Sequence, residues 1–472
     1  MLFNSIQFIL FFPFITLIYY WCSHKYRWAV LLAGSYYFYM CWKPEYLVLI
    51  LLSTTVDYFA ALAMEKAQEI KKKKRFLFLS LFTNLGLLGL FKYWNFVSEN
   101  LNQIIDENTF STLDILLPVG ISFYTFQTLS YTIDVYRGDI KAERHFGKFA
   151  LFVSFFPQLV AGPIERAKRF IPQLYKKINY DQVMIGLGLK LMTWGFFKKL
   201  VIADNCGLLV NQVYNNPETH KGIFVVLAAL LFPFQIYADF SGYSDIAIGA
   251  AMVLGITLMQ NFNRPFIAQS IGEHWKRWHI SLSTWFMDYL YIPLGGSKTT
   301  KWRWYYNLFI TFLISGLWHG ANWTFILWGA YHGALVVLER MIGYGKNRSG
   351  GILGLAKNVV VFLLIVFGFI IFRSNNLSDV PIILNNLVTD LNLDAITEFF
   401  EKSTILRNKR ILVVFFAIVL MMTLEYLYDK KNVIGFLNRQ HFVIRFLFYI
   451  ISILAILMFG NFTSIDFIYF QF

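Results

Sequence analysis

Apolar runs of span length recur along this chain from Leu2 onward, and that recurrence constrains its fold more than any other feature. A helical run of about 20 apolar residues matches the hydrocarbon thickness of a bilayer. Its backbone groups must be satisfied within the segment, so such runs read as helices. Of 472 residues, 57% are hydrophobic and only 15% charged, whereas soluble domains carry roughly 25% charged residues. The chain therefore reads as an all-α polytopic membrane protein, residues 1–472 forming one integral-membrane domain of about ten to twelve spans.

The formal net charge of +14 does not point to nucleic acid. The basic residues gather in short loops between apolar runs, the pattern of the positive-inside rule. Leu2–Tyr20 is a first span, and the His24, Lys25 and Arg27 that follow place that loop in the cytoplasm and the N-terminus outside. The stretch lacks a basic n-region and a small-residue cleavage site, so it reads as a first span rather than a removed signal peptide. Trp28–Trp42 and Tyr46–Met64 come next, and the run Lys71–Arg75 marks the inside again. Phe76–Val97 leads outward to the acidic loop Ser98–Asp114, and Leu116–Val135 returns. Phe149–Val160 is apolar but about 12 residues long, too short to span. Basic stretches flank it on both sides, so it reads as a re-entrant or buried segment ending near Pro157 and Gly162-Pro163.

Val183–Ala203 crosses outward to a polar external loop, Asn205–Lys221. Ile223–Asp239 and Ile246–Leu258 are separated by Asp239-Phe240-Ser241-Gly242-Tyr243-Ser244-Asp245, where two carboxylates and two hydroxyls interrupt the apolar run. Helix breaking with internal hydrogen bonding is one reading; a cavity wall or polar network beside a site is the other. Residues 261–303 are too polar to span yet rich in Trp and Tyr, as expected of amphipathic helices at the cytoplasmic interface. Ile352–Phe372 spans outward, 374–410 is an external loop, Ile411–Tyr428 returns to Lys430-Lys431, and Phe442–Gly460 leaves again, so both termini face outward. Cys22, Cys41 and Cys206 have no metal-ligand or CxxC spacing and read as small core residues. No metal site is expected.

Chemistry concentrates in two places. Ser315-Gly316-Leu317-Trp318-His319-Gly320-Ala321-Asn322-Trp323 sets a histidine between two apolar segments, with glycines close on either side. An ionisable residue at such depth is a functional-site candidate by default, although a lone His is as often a hydrogen-bonded packing residue. Upstream lies Glu273-His274-Trp275-Lys276-Arg277-Trp278-His279. His274 and His279 are spaced i, i+5, poor for sharing one helical face. His332 stands about 140° around a continuous helix from His319 and reads as structural. An imidazole can take a proton from an alcohol attacking an activated carbonyl. A proton-coupled transporter would suit the same residues, so spacing alone leaves the class open.

Longer motifs narrow it. Pro118-Val119-Gly120-Ile121-Ser122-Phe123, Asp134-Val135-Tyr136-Arg137-Gly138, Phe155–Ile164, Asp239–Asp245, Trp275–Ser283, Trp318–Trp323 and the ending Phe467–Phe472 together resemble the membrane-bound O-acyltransferase family, in its bacterial alginate O-acetylase-like branch. The resemblance covers essentially the whole chain. It implies a bowl of tilted helices with re-entrant and interfacial helices around a central tunnel, and a catalytic core over 118–341. It implies His319 as general base or proton relay and His279 as the second polar residue that orients or polarises its partners. Trp275, Trp278, Ser281, Trp318, Asn322, Asp239, Ser241 and Asp245 would line the tunnel. The donor would be a cytoplasmic acyl thioester, acetyl-CoA, with no bound cofactor. The acceptor would be a polysaccharide outside the cytoplasmic membrane, reached through an SGNH-type partner protein. D-alanyl transfer to teichoic acid from a carrier protein, and a non-enzymatic exporter of acyl groups or glycans, are the alternatives.

Overall fold

The structure is a computed structural model. It describes residues 1–105, 109–160, 162–345, 347–391, 410–427, 439–462, 467 and 468. Lys430, Lys431 and residues 392–409 of the expected 374–410 loop lie outside these residues. Every regular element among them is a helix. The chain divides into two compact units, residues 1–192 with 246–260 and residues 193–245 with 261–472.

In the first unit, α1 (Ile6–Trp21), α2 (Arg27–Met40), α3 (Leu47–Lys66), α4 (Ile70–Leu88) and α5 (Trp94–Ile105) follow in order. A π-turn at Gly89–Tyr93 joins α4 to α5, so the helix runs eight residues past the expected end of its span. The loop after it folds back on two amides. Asn95 exchanges hydrogen bonds with the backbone of Leu113, and Asn102 with that of Phe110, at 2.8–2.9 Å. Polar residues here extend and cap a helix rather than form an open loop. α6 (Ile121–Arg137) starts after Gly120. Gly120 has φ 77°, and a Cβ there would lie 2.5 Å from the Leu159 carbonyl oxygen, so no other residue fits this approach.

The short apolar segment breaks as its length requires. α7 (Phe146–Ser154) and the four-residue α8 (Phe156–Leu159) meet at Phe155. Phe149, Phe152, Phe155 and Phe156 are fully buried. The carbonyl of Phe152 accepts from the Gln127 and Gln158 side chains at 2.8 and 2.7 Å, and the Phe156 N–H donates to Ser35. Non-helical backbone at depth is thus satisfied by neighbouring side chains. α9 (Ala167–Phe170) and α10 (Gln182–Phe196) follow.

α10 continues through a π-turn, Phe197–Ala203, into α11 (Asp204–Tyr214). The expected external loop at 205–221 therefore begins as helix. α12 (Ile223–Val253) is one helix of 31 residues, where two apolar segments with a break were one reading of the sequence. The polar residues at 239–245 do not break it, because Asp239, Ser241, Ser244 and Asp245 find partners beside the helix.

The second unit continues with α13 (Ile271–Arg277) and α14 (Ile280–Phe286), short helices in the stretch expected at the interface. Ser270 caps α13, its Oγ accepting the Glu273 N–H, and the Glu273 carboxylate reaches back to accept the N–H of Gln269, one residue before the cap. α15 (Lys301–His319) and α16 (Trp323–Met341) form a tight antiparallel hairpin. α17 (Gly351–Arg373), α18 (Asp379–Asn386), α19 (Arg410–Leu427) and α20 (Phe442–Phe459) complete the described helices. Five stretches, Pro44–Lys66, Ile70–Ile105, Ile223–Val253, Gly351–Arg373 and Phe442–Phe459, are long and apolar enough to cross a membrane. The remaining expected spans are helices of 14–19 residues, such as α2, α6 and α15. Of the cysteines only Cys206 is in the core; Cys41 is exposed.

Candidate active site

His319 is the last residue of α15. Gly320 then turns the chain into extended backbone, and Asn322 starts α16 by accepting the Thr324 N–H at 3.0 Å. Glycines permit so tight a hairpin. A Cβ on Gly316 would lie 2.3 Å from the Phe325 carbonyl oxygen and 3.0 Å from the Gly329 Cα, so the two backbones touch. The hairpin places His319, 5% exposed, against Trp318, Trp328 and Phe372, with ring centroids at 5.1, 5.0 and 5.5 Å.

His279 reaches the same aromatic cluster from another element. It is 1% exposed, sits between α13 and α14, and has φ 44° and ψ 54°, left-handed backbone that non-glycine residues rarely adopt. Its neighbours hold that turn. The Ile280 N–H donates to the Asn261 carbonyl at 2.8 Å, Ser281 Oγ donates to Asn261 Oδ1 at 2.6 Å, and Asn261 Nδ2 donates to Ser244. The His279 ring packs on Phe240 at 4.6 Å and on Trp318 at 6.1 Å. Trp318 therefore touches both histidines.

The other expected site residues fall into three groups. Trp275 contacts Trp328 at 5.4 Å and His332 at 5.0 Å, while Trp278 stacks on His274 at 5.6 Å and packs against Phe262 and Phe369. Trp275 Nε1, Trp328 Nε1, His274 Nε2 and His332 Nδ1 are buried and make no hydrogen bond among the described residues. Ser281 serves the turn just described. The Asn322 amide is committed to the α16 cap and to the Asn375 carbonyl at 2.8 Å. Trp323 next to it is half exposed. No ring contact joins His332 to His319 directly; Trp328 lies against both.

Asp239, Ser241 and Asp245 belong to a buried ionic network. The Lys199 ammonium lies 2.9 Å from Asp239 and 2.8 Å from Asp204, and the Lys198 ammonium 2.5 Å from Asp245 and 2.8 Å from Ser241 Oγ. Asp239 also accepts the Ile468 N–H at 2.9 Å, and Phe467 packs on Phe240 and Tyr243. Glu425 on α19 accepts from the Tyr237 hydroxyl at 2.7 Å. Sequence reasoning passed over Lys198 and Lys199, although two adjacent lysines inside an apolar run were a signal of the same kind as His319. Both sit on the π-turn between α10 and α11, where an extra residue per turn re-aims side chains. Among the described residues no cluster of three or more His, Cys, Asp or Glu side chains could hold a metal ion.

A model of the membrane-bound O-acyltransferase family matches residues 142–374, which include both histidines. The chain is 44% identical over 384 residues to a protein named probable alginate O-acetylase AlgI from Pseudomonas aeruginosa, covering 80% of this chain and 73% of that one. It is 37% identical over 390 residues to the peptidoglycan O-acetyltransferase of Helicobacter pylori, covering 76% and 73%. It is 30% identical over 307 residues to the teichoic acid D-alanyltransferase of Bacillus subtilis, covering 60% and 74%.

Proposed function

This chain is a member of the membrane-bound O-acyltransferase family, and from that premise we propose that it moves an acetyl group from a cytoplasmic thioester, acetyl-CoA, onto hydroxyls of a polysaccharide outside the cytoplasmic membrane. Membership makes it an enzyme of acyl transfer, and the exporter reading is set aside. The higher identity to proteins named as O-acetylases than to the D-alanyltransferase supports acetyl as the group carried. In this reading both termini face outward, and an SGNH-type protein receives or relays the acetyl group.

The observation that carries the reading is the position of His319: buried at the tip of a helical hairpin, walled by aromatic rings, and sharing Trp318 with His279. The chemistry follows from that placement. An acceptor hydroxyl attacks the thioester carbonyl; a C–O bond forms and the C–S bond breaks. His319 takes the hydroxyl proton as the oxygen attacks and returns it to the departing thiolate sulfur, so no net charge is left in the apolar site. His279, held in a fixed turn, orients or polarises the reacting groups. The aromatic walls exclude water that would otherwise hydrolyse the thioester.

The test is transfer from radiolabelled acetyl-CoA into the polymer fraction of membranes. His319→Ala is expected to lose about 10²–10⁴-fold in rate at equal expression. Full labelling by that variant overturns the assignment of the base. No labelling by the wild type overturns acetyl-CoA as donor and moves the test to an aminoacyl carrier-protein thioester.

A further inference from the structure

Asp57 lies midway along α3, inside the apolar stretch Pro44–Lys66, and is 0% exposed. Ser53, Thr54, Ser80, Asn84, Thr128 and Thr132, on α3, α4 and α6, are equally buried. Ser80 Oγ donates to Asp57 Oδ1 at 2.6 Å, and Asn84 Nδ2 lies 3.0 and 2.9 Å from the two carboxylate oxygens. Asn84 Oδ1 in turn accepts from Ser53 at 2.6 Å and from Thr128 at 3.2 Å. Every group touching the carboxylate is neutral, and among the described residues no Lys, Arg or His nitrogen lies within 4.0 Å of it. Two neutral donors do not compensate an ionised carboxylate removed from water inside a helix bundle; an uncompensated charge there costs several kcal/mol. A positive charge must therefore accompany Asp57 when the bundle is folded.

The residues say which kind. Around one carboxylate they gather hydroxyl and amide oxygens, all hard donors, with no His or Cys, and hard oxygen ligands suit alkali and alkaline-earth ions. One negative charge matches one monovalent ion, since divalent sites recruit more carboxylates. The second, independent observation is Thr54. Its Oγ1, one turn before Asp57 and within about 60° of it around α3, is buried without a hydrogen-bond partner among the described residues. We propose that the Asp57 cluster is a binding site for a single monovalent cation, Na⁺ or a proton, held between α3, α4 and α6. As Na⁺, it would be liganded by Asp57 and by hydroxyl oxygens whose hydrogens rotate away. As a proton, it would sit on the carboxyl itself.

Few other ionisable groups face Asp57. α6 brings the Tyr131 hydroxyl, which accepts the Glu143 N–H. α4 presents Ser80 and Asn84, and α7 carries Lys148, whose ammonium lies 3.1 Å over the Tyr175 ring. On α3 itself Tyr58 donates to the Arg144 carbonyl, and Glu65 pairs with Arg144. α2 carries Arg27, bound to the Cys22 and Ile178 carbonyls, and otherwise only tyrosines as ionisable groups. The turn before α3 carries Glu45.

The experiment measures the Tm of the full-length detergent-purified protein in two series. In the first, NaCl replaces choline chloride at constant ionic strength and pH 8. In the second, pH is varied without Na⁺. A Na⁺ site gives the wild type a saturable rise of about 3–5 °C in the first series. A proton site gives a Tm that falls as pH rises, because the native state holds a proton that the unfolded state releases. Asp57→Asn, which is neutral and of the same shape, is expected to lose whichever response the wild type shows. Should that variant fail to fold, Ser80→Ala keeps the carboxylate, and its half-saturating Na⁺ rises about tenfold or its titration midpoint moves up by about one pH unit. A wild type indifferent to Na⁺, with the same pH slope as the variants, overturns the proposal. No activity measurement enters, so the result stands apart from that of the acetyl-transfer test.

Discussion

The left-handed backbone of His279 is the sharpest local signal in the second unit, because a β-carbon at φ 44° costs roughly 1–2 kcal/mol that a glycine or asparagine largely avoids. Three non-glycine residues have positive φ among the described positions, Arg264, His279 and Asp390. Only His279 is also buried against the site rings. The strain persists because Asn261 holds the start of α14 through both its carbonyl and its side chain. Replacement by Asn separates conformation from chemistry. His279→Asn is expected to keep Tm within about 2 °C, since Asn tolerates this backbone, while acyl transfer falls at least tenfold. Equal transfer by the two proteins would leave His279 as a turn residue alone. His279 itself was visible in the sequence as one polar member of a polar stretch. Its backbone was not, because φ at a helix junction is set by what clamps the junction, here a residue 18 positions earlier.

At the scale of elements, the α15–α16 hairpin turns glycine spacing into the position of a histidine. Gly316 and Gly320 were legible, and so was the interruption of the apolar run at His319. What could not be read was which backbone each glycine admits. Gly316→Ala tests that link. Its new methyl would meet the Phe325 carbonyl oxygen at 2.3 Å, so the helices must separate. Such overpacking costs about 1–3 kcal/mol, and a shift of about 1 Å in a reacting group can cost 10²-fold in rate. The expected outcome is a modest fall in Tm with a much larger fall in kcat. A variant with unchanged kcat would show that the hairpin does not set the position of His319. α12 gives the opposite lesson. Its polar residues looked like a possible break, yet the helix is continuous, because Lys198 and Lys199 on the neighbouring π-turn neutralise the carboxylates it exposes.

For the whole molecule, apolar run lengths were enough to identify a helical membrane protein, but not to pair its buried charges. Asp239 is bound to Lys199, 40 positions earlier, and to the Ile468 N–H, 229 positions later. Neither partner follows from helical period or from hydropathy, since both depend on which helices become neighbours after folding. The sequence reading accordingly left Asp239 and Asp245 between an internal polar network and a tunnel wall, and the structure places their carboxylates on lysines. This network draws together α11, α12, the π-turn and the C-terminal residues 467 and 468. Asn205 adds to the tie by donating to the Phe459 carbonyl at the end of α20. Its energetics predict an asymmetry. Lys199→Met strands Asp204 and Asp239 without their cation and is expected to cost about 3–5 kcal/mol. Adding Asp204→Asn and Asp239→Asn to that variant removes the stranded charge, and at least half of the loss should return, as a neutral network demands far less desolvation. Thermal unfolding of the purified proteins reads both effects. If the triple variant is no more stable than Lys199→Met, the network is held by its shape and hydrogen bonds rather than by charge, and Lys199 would then contribute by packing over the Tyr243 ring.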